Sequence, residues 1–100
     1  MPVTRAVSGI TVEKPDDKKL KELGVKGWPV WTKEPSVFDW HYDDTETCYL
    51  LEGDVVVKTE EGSVTFGKGD LVTFSKDLDC TWQVKKAVRK HYRFGRGDQK

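Results

Sequence analysis

The chain has almost none of what a disulfide scaffold needs, since Cys48 and Cys80 are its only cysteines. Two are too few to staple a small loop-rich fold, and in a reducing compartment both stand as thiols. Long apolar runs are missing as well. The first ten residues hold no seven-residue apolar stretch, and no segment approaches the roughly 20 consecutive apolar residues that cross a bilayer. A soluble cytoplasmic protein without a membrane partner is the resulting expectation; a removed transit peptide would leave no trace, so an organelle stays open. An excess of one charge is also absent, with 17 Lys and Arg against 17 Asp and Glu. Without a strong positive field the chain is poorly equipped to neutralise phosphates, which argues against nucleic acid as a partner. There is no Gly-rich phosphate loop, no Gly-x-Ser-x-Gly elbow, no internal repeat and no low-complexity tract.

What the sequence does contain is aromatic weight in a short chain: four Trp, four Phe and three Tyr among 100 residues. Those argue against disorder. A chain this long folds as one domain that buries roughly two-thirds of its unfolded surface. With 36% hydrophobic and 34% charged residues, the apolar side chains must be concentrated on inward faces. The charges are segregated, acidic from Asp43 to Glu61 and basic from Lys85 to Lys100. The plainest account of that is two solvated surface regions.

Residues 1–9 lack periodicity and are expected to form a loose arm, with the domain spanning 10–94 and a flexible tail over 95–100. Pro15, Asp16 and Asp17 supply a helix start, Leu20 and Leu23 a short apolar face, and Gly24 a stop, which predicts one two-turn helix over 16–23 acting as a lid or plug. Beyond Gly27 the pattern turns to period two. Val37, Asp39 and His41 share one face of a strand and Phe38, Trp40 and Tyr42 the other. Strands are predicted over 46–51, 55–57, 64–66, 71–74, 80–84 and 88–94, separated by turns such as Glu52-Gly53-Asp54. Short strands at such spacing, without helices between them, predict an all-β antiparallel sandwich or barrel.

Polar residues on otherwise apolar strands are the candidates for chemistry, because burying them uncompensated is expensive. Asp39 and His41 share a face, Glu46 follows the turn, and Cys80 lies on a distant strand. Their spacing resembles the cupin family. Its first motif, His-x-His, four residues, Glu, six residues, Gly, is matched by Asp39, His41, Glu46 and Gly53, with Asp39 in the first His place. Its second, Gly, five residues, Pro-x-Gly, two residues, His, is matched by Gly69, with Ser75, Asp77 and Cys80 in the Pro, Gly and His places. Trp28-Pro-x-Trp31, Glu46-Thr-Cys-Tyr49, Cys80-x-Trp82 and Lys90-His-Tyr92 are similar to the small cupins grouped with the ureidoglycine aminohydrolase cupin domain, over about Ile10 to Phe94.

The resemblance implies an antiparallel double-stranded β-helix, the cupin jelly-roll barrel, with one short N-terminal helix. It also implies a metal inside the barrel, held here by Asp39, His41, Glu46 and Cys80. That mixed set suits zinc or ferrous iron better than magnesium or calcium, and two imidazoles of the family set are replaced. The alternative keeps the fold without metal: His41 and Glu46 pair across a small polar cavity and Cys80 fills core volume. Cys48 has the parity to lie beside Glu46 in the pocket, and a bond between Cys48 and Cys80 stays open. Among the tryptophans, Trp82 is expected in the pocket and the others in the core. His91 is expected at the surface. Three functions follow: a metal-dependent enzyme acting on a small polar molecule, with Glu46 also an acid or base; a non-catalytic barrel holding a small-molecule ligand; or a structural homodimer pairing its strand edges.

Overall fold

The computed structural model describes residues 5–95. The chain opens as a hairpin, β1 (Arg5–Val7) against β2 (Ile10–Glu13), so part of the segment expected to be a loose arm is paired strand. Helix α1 (Asp17–Leu23) begins where the sequence places it. Asp16 caps it by accepting the Lys19 N–H at 2.9 Å, and Gly24, at φ 71°, closes it by donating to Leu20 and Lys21 carbonyls. It buries no residue and contributes nothing to the cavity described below, so it is not a plug. A 3-10 turn at Val25–Gly27 leads into β3 (Val30–Lys33) and β4 (Ser36–His41). The remaining strands are β5 (Glu46–Thr59), β6 (Gly62–Gly67), β7 (Leu71–Phe74) and β8 (Asp79–Phe94).

All pairings are antiparallel, in the order β1-β2-β7-β5-β8-β3, with β4 also on β8 and β6 also on β5. The two long strands form the axis of the fold. β5 pairs with β7 over its first residues and with β6 over its last, while β8 pairs with β4 first and β3 later. Each therefore serves two parts of the wall, which is how one curled sheet encloses a core. Where the sequence predicts a turn at Glu52-Gly53-Asp54 and a break after Val84, both strands run on. β5 instead carries irregularities between Leu50 and Val55, and the bulged residues reset its parity: Glu46, Cys48 and Leu50 face inward before them, Val55 and Val57 after. Glycine is required at this crossing. Gly53 has φ 129°, and a Cβ there would stand 2.9 Å from Val88 Cγ2; a Cβ on Gly67 would stand 2.7 Å from the Gly53 carbonyl oxygen.

The core runs from Ile10 and Val12 through Leu50, Val55, Val57 and Val72 to Trp82, Val84 and Val88. The segregated charges meet across the β5–β8 ladder, where Glu52 faces Arg89 and Asp54 faces Lys86. Lys14 pairs with the buried Asp70, whose other oxygen accepts the Gly67 N–H at 2.8 Å. Among the described residues no helix is long and apolar enough to cross a membrane.

Candidate functional site: an aromatic cavity over a buried ion pair

The inner face of β4 is decided by its aromatic residues. Phe38, Trp40 and Tyr42 alternate with Val37, Asp39 and His41, and turning three rings inward buries far more apolar surface than turning the other set would. Cross-strand register fixes the result: Phe38 lies opposite Trp82 and Trp40 opposite Cys80, while Asp39 faces Thr81 and His41 faces Asp79 on the outside. Trp31 from β3 and Tyr92 and Phe94 from β8 complete a cavity of about 220 Å³. Trp40 and Phe94, each about half exposed, lie at its mouth.

Two charged side chains line the closed part of this cavity. Glu46 Oε2 accepts from Lys90 Nζ at 2.8 Å, and each side chain retains only 5% of its exposure. They are not cross-strand neighbours. Glu46 lies opposite Phe94, and Lys90 opposite Leu50, so two long side chains must reach along the inner face past Cys48 to meet. The ammonium lies 4.9 Å from the Trp31 ring centroid and 4.7 Å from that of Trp82, where the ring faces attract a cation. Burial opposes the charge on Lys90, but the Glu46 carboxylate, by its charge and by the hydrogen bond it accepts, outweighs it and holds the lysine above its ordinary value. Lys90 is therefore a cation, not an amine nucleophile.

The neighbouring groups are kept neutral. Burial pushes the Cys48 thiol up to about 12 and the Cys80 thiol up to about 11, Asp79, Asp39 and Glu46 adding to the latter. Burial likewise raises the Tyr42 hydroxyl, which accepts the Trp82 indole N–H at 3.1 Å. Both cysteines are free.

The four residues expected to hold a metal do not converge, which corrects the expectation. Glu46 alone enters the aromatic cavity. Asp39 and His41 face outward, bordering a shallow outer groove with Cys80, whose side chain turns inward with its Sγ 3.7 Å from the Trp40 carbonyl oxygen. Asp39 instead accepts from Thr81 Oγ1 at 2.9 Å. His41 holds Asp79 through Nδ1 at 2.7 Å, with Asp43 and Asp77 at 3.7 and 3.9 Å from Nε2. The Asp79 hydrogen bond, opposed by burial and supported by the charges of Asp79, Asp43 and Asp77, raises the His41 pKa. Among the described residues no three His, Cys, Asp or Glu side chains are grouped to hold a metal ion. With Asp39 and His41 on the outer face and Glu46 inside, the four donors do not meet around one point, and the set does not fit zinc or ferrous iron inside the barrel.

Trp82 lines the cavity together with Trp31 and Trp40, where the sequence expectation put Trp82 in the pocket and the others in the core; Cys48 lies fully buried and not on the cavity wall. His91 is partly buried, its Nδ1 2.9 Å from the Trp28 carbonyl oxygen. Lys90 is the residue that motif reasoning missed. Its parity with Val88 and Tyr92 was the available signal: on the second half of this strand an even-numbered residue turns toward the inner face whatever its charge.

Fold and cavity together define a small jelly-roll barrel of the cupin class. The chain belongs to the EutQ-like cupin domain family, whose pattern matches residues 20–92. It is similar to a DUF861 family protein of known structure from Thermotoga maritima, at 56% identity and a TM-score of 0.84 over 86% of this chain and 99% of that one. Its fold is shared by a putative ethanolamine utilization protein Q from Salmonella typhimurium LT2 (14% identity, TM-score 0.61, 97% of this chain and 69% of that one). The EutQ protein of Clostridium difficile shares it too (19% identity, TM-score 0.62, 91% and 74%). No curated protein matches the chain.

Proposed function

We propose that this protein is a small-molecule-binding cupin barrel that acts without a metal in its cavity. The buried Lys90–Glu46 pair in an aromatic-walled cavity carries the reading. An ion pair taken out of water is a poor source of stability compared with apolar packing, so a barrel that keeps one beside a cavity is spending stability on recognition. The flat rings around it suit a compact planar molecule. Covalent catalysis finds little support: the lysine is charged and both thiols are protonated.

The test is a titration of 15N-labelled protein with a panel of small planar polar molecules. Binding should move the indole N–H signals of Trp31 and Trp82, and the double variant Lys90→Met/Glu46→Met should lose or reorder the set of binders. A panel in which nothing moves those signals, or a double variant that binds the same compounds equally well, would refute the proposal.

A further inference from the structure

The cavity carries no net charge of its own. Lys90 and Glu46 neutralise one another, and Tyr42, Cys48 and Cys80 beside them are held protonated. An ionic occupant would therefore bring an uncompensated charge into a water-poor space. The pair also has hydrogen-bonding capacity left over. An ammonium has three protons and a carboxylate two oxygens, yet among the described residues the only side-chain hydrogen bond either group makes is the one between Lys90 Nζ and Glu46 Oε2. Glu46 Oε1 is left needing a donor and Lys90 an acceptor, side by side, in groups that are 95% buried.

We infer, building on the small-molecule reading above, that the ligand presents a neutral amide edge, a carboxamide or lactam, with its carbonyl oxygen on Lys90 Nζ and its N–H on Glu46 Oε1. The carbonyl oxygen and nitrogen of an amide lie about 2.3 Å apart by standard bond lengths, so one amide edge can address an ammonium and the free oxygen of the carboxylate it is bonded to. An amide is planar, so the rest of the molecule can lie against the aromatic wall of the cavity. A carboxylate would satisfy Lys90 but meet Glu46 as a like charge; an ammonium would do the reverse. Either fails at one half of the pair.

Three compounds of nearly equal shape separate these cases: benzamide, benzoate and benzylammonium, each titrated calorimetrically with the indole N–H signals of Trp31 and Trp82 as the reporter of place. The wild type should bind benzamide at least tenfold more tightly than either ion. Glu46→Gln leaves Lys90 uncompensated and should turn the preference to benzoate, while Lys90→Met should turn it to benzylammonium. Should Lys90→Met not fold, the isosteric Glu46→Gln carries the test alone. A wild type that binds either ion as tightly as benzamide, or binds no benzamide and holds only water on the pair, overturns the amide assignment. If the wider panel still yields a ligand, that failure belongs to the amide edge alone and the small-molecule reading stands.

Discussion

Removing one member of the Lys90–Glu46 pair should destabilise the protein far more than removing both. Lys90→Met keeps most of the side-chain stem and deletes the charge, leaving a 95% buried carboxylate. Breaking a buried pair in this way costs about 3–5 kcal/mol. There is a ceiling, because a stranded carboxyl escapes by taking up a proton, and for an ordinary glutamic acid that costs ~3.7 kcal/mol at pH 7. The partner variant should be milder. In Glu46→Gln the remaining ammonium still faces Trp31 and Trp82, a cation–π attraction of about 1–2 kcal/mol when desolvated. The double variant Lys90→Met/Glu46→Met has no stranded charge and should be near neutral, or up to about 4 kcal/mol more stable than wild type.

A domain of this size has roughly 5–15 kcal/mol in total, and ~1 kcal/mol moves its Tm by about 4–8 °C. Lys90→Met should thus lower Tm by something on the order of 20 °C, visible in urea or thermal melts followed by circular dichroism. The proton escape gives an internal control: the deficit of Lys90→Met should shrink as pH falls from 7 toward 5, because protonation of the stranded carboxyl then costs less. If both single variants lose under ~1 kcal/mol and their effects add in the double, the pair is solvated and the electrostatic argument built on its burial fails.

Gly53→Ala should cost about 1–3 kcal/mol in urea melts, because φ 129° is strained for alanine and the added Cβ meets Val88 at 2.9 Å; an unchanged midpoint would show that the bulge relaxes freely. Asp77 stands in the Gly place of the second motif and has φ 70°, so Asp77→Gly should be tolerated while Asp77→Ala loses roughly 1 kcal/mol; equal midpoints would contradict a left-handed turn there. His41 should titrate above its ordinary 6.5 in an NMR pH series, since Asp79, Asp43 and Asp77 surround it. Its contribution to stability is then complete below 6.5 and is lost as pH rises through the folded-state value, so His41→Gln should remove that loss; a midpoint at or below 6.5 would overturn the cluster.

The strands, the capped helix and the fold family are legible in the residues, since period-two patterning and the Asp16 and Gly24 signals are local. What was not legible were the joins. A Glu-Gly-Asp segment serves equally as a turn or a bulge, and only the partners on β6 and β8 decide that β5 continues through it. The site was half legible. Glu46 and Trp82 line the cavity. Asp39 and His41 were assigned inward because the motif places ligands there, yet the same strand offered Phe38, Trp40 and Tyr42 on the other face, and apolar burial decides which face turns in. Lys90 escaped because its partner lies four rungs along the ladder, a contact that only side-chain length makes.

That lysine also changes what the barrel does with metal. Glu46 is the one motif residue facing the cavity, and Lys90 Nζ already sits 2.8 Å from it. A divalent ion about 4 Å from that ammonium would be repelled by ~8 kcal/mol at an effective dielectric constant of 20, and among the described residues Glu46 is the only carboxylate lining the cavity to offset it. Zinc or ferrous iron offered anaerobically should therefore leave the Trp31 and Trp82 indole signals unmoved. Stoichiometric uptake that shifts the Trp82 indole and disappears with Glu46→Gln would mean that Lys90 yields its position, and the barrel would then be a metal site after all.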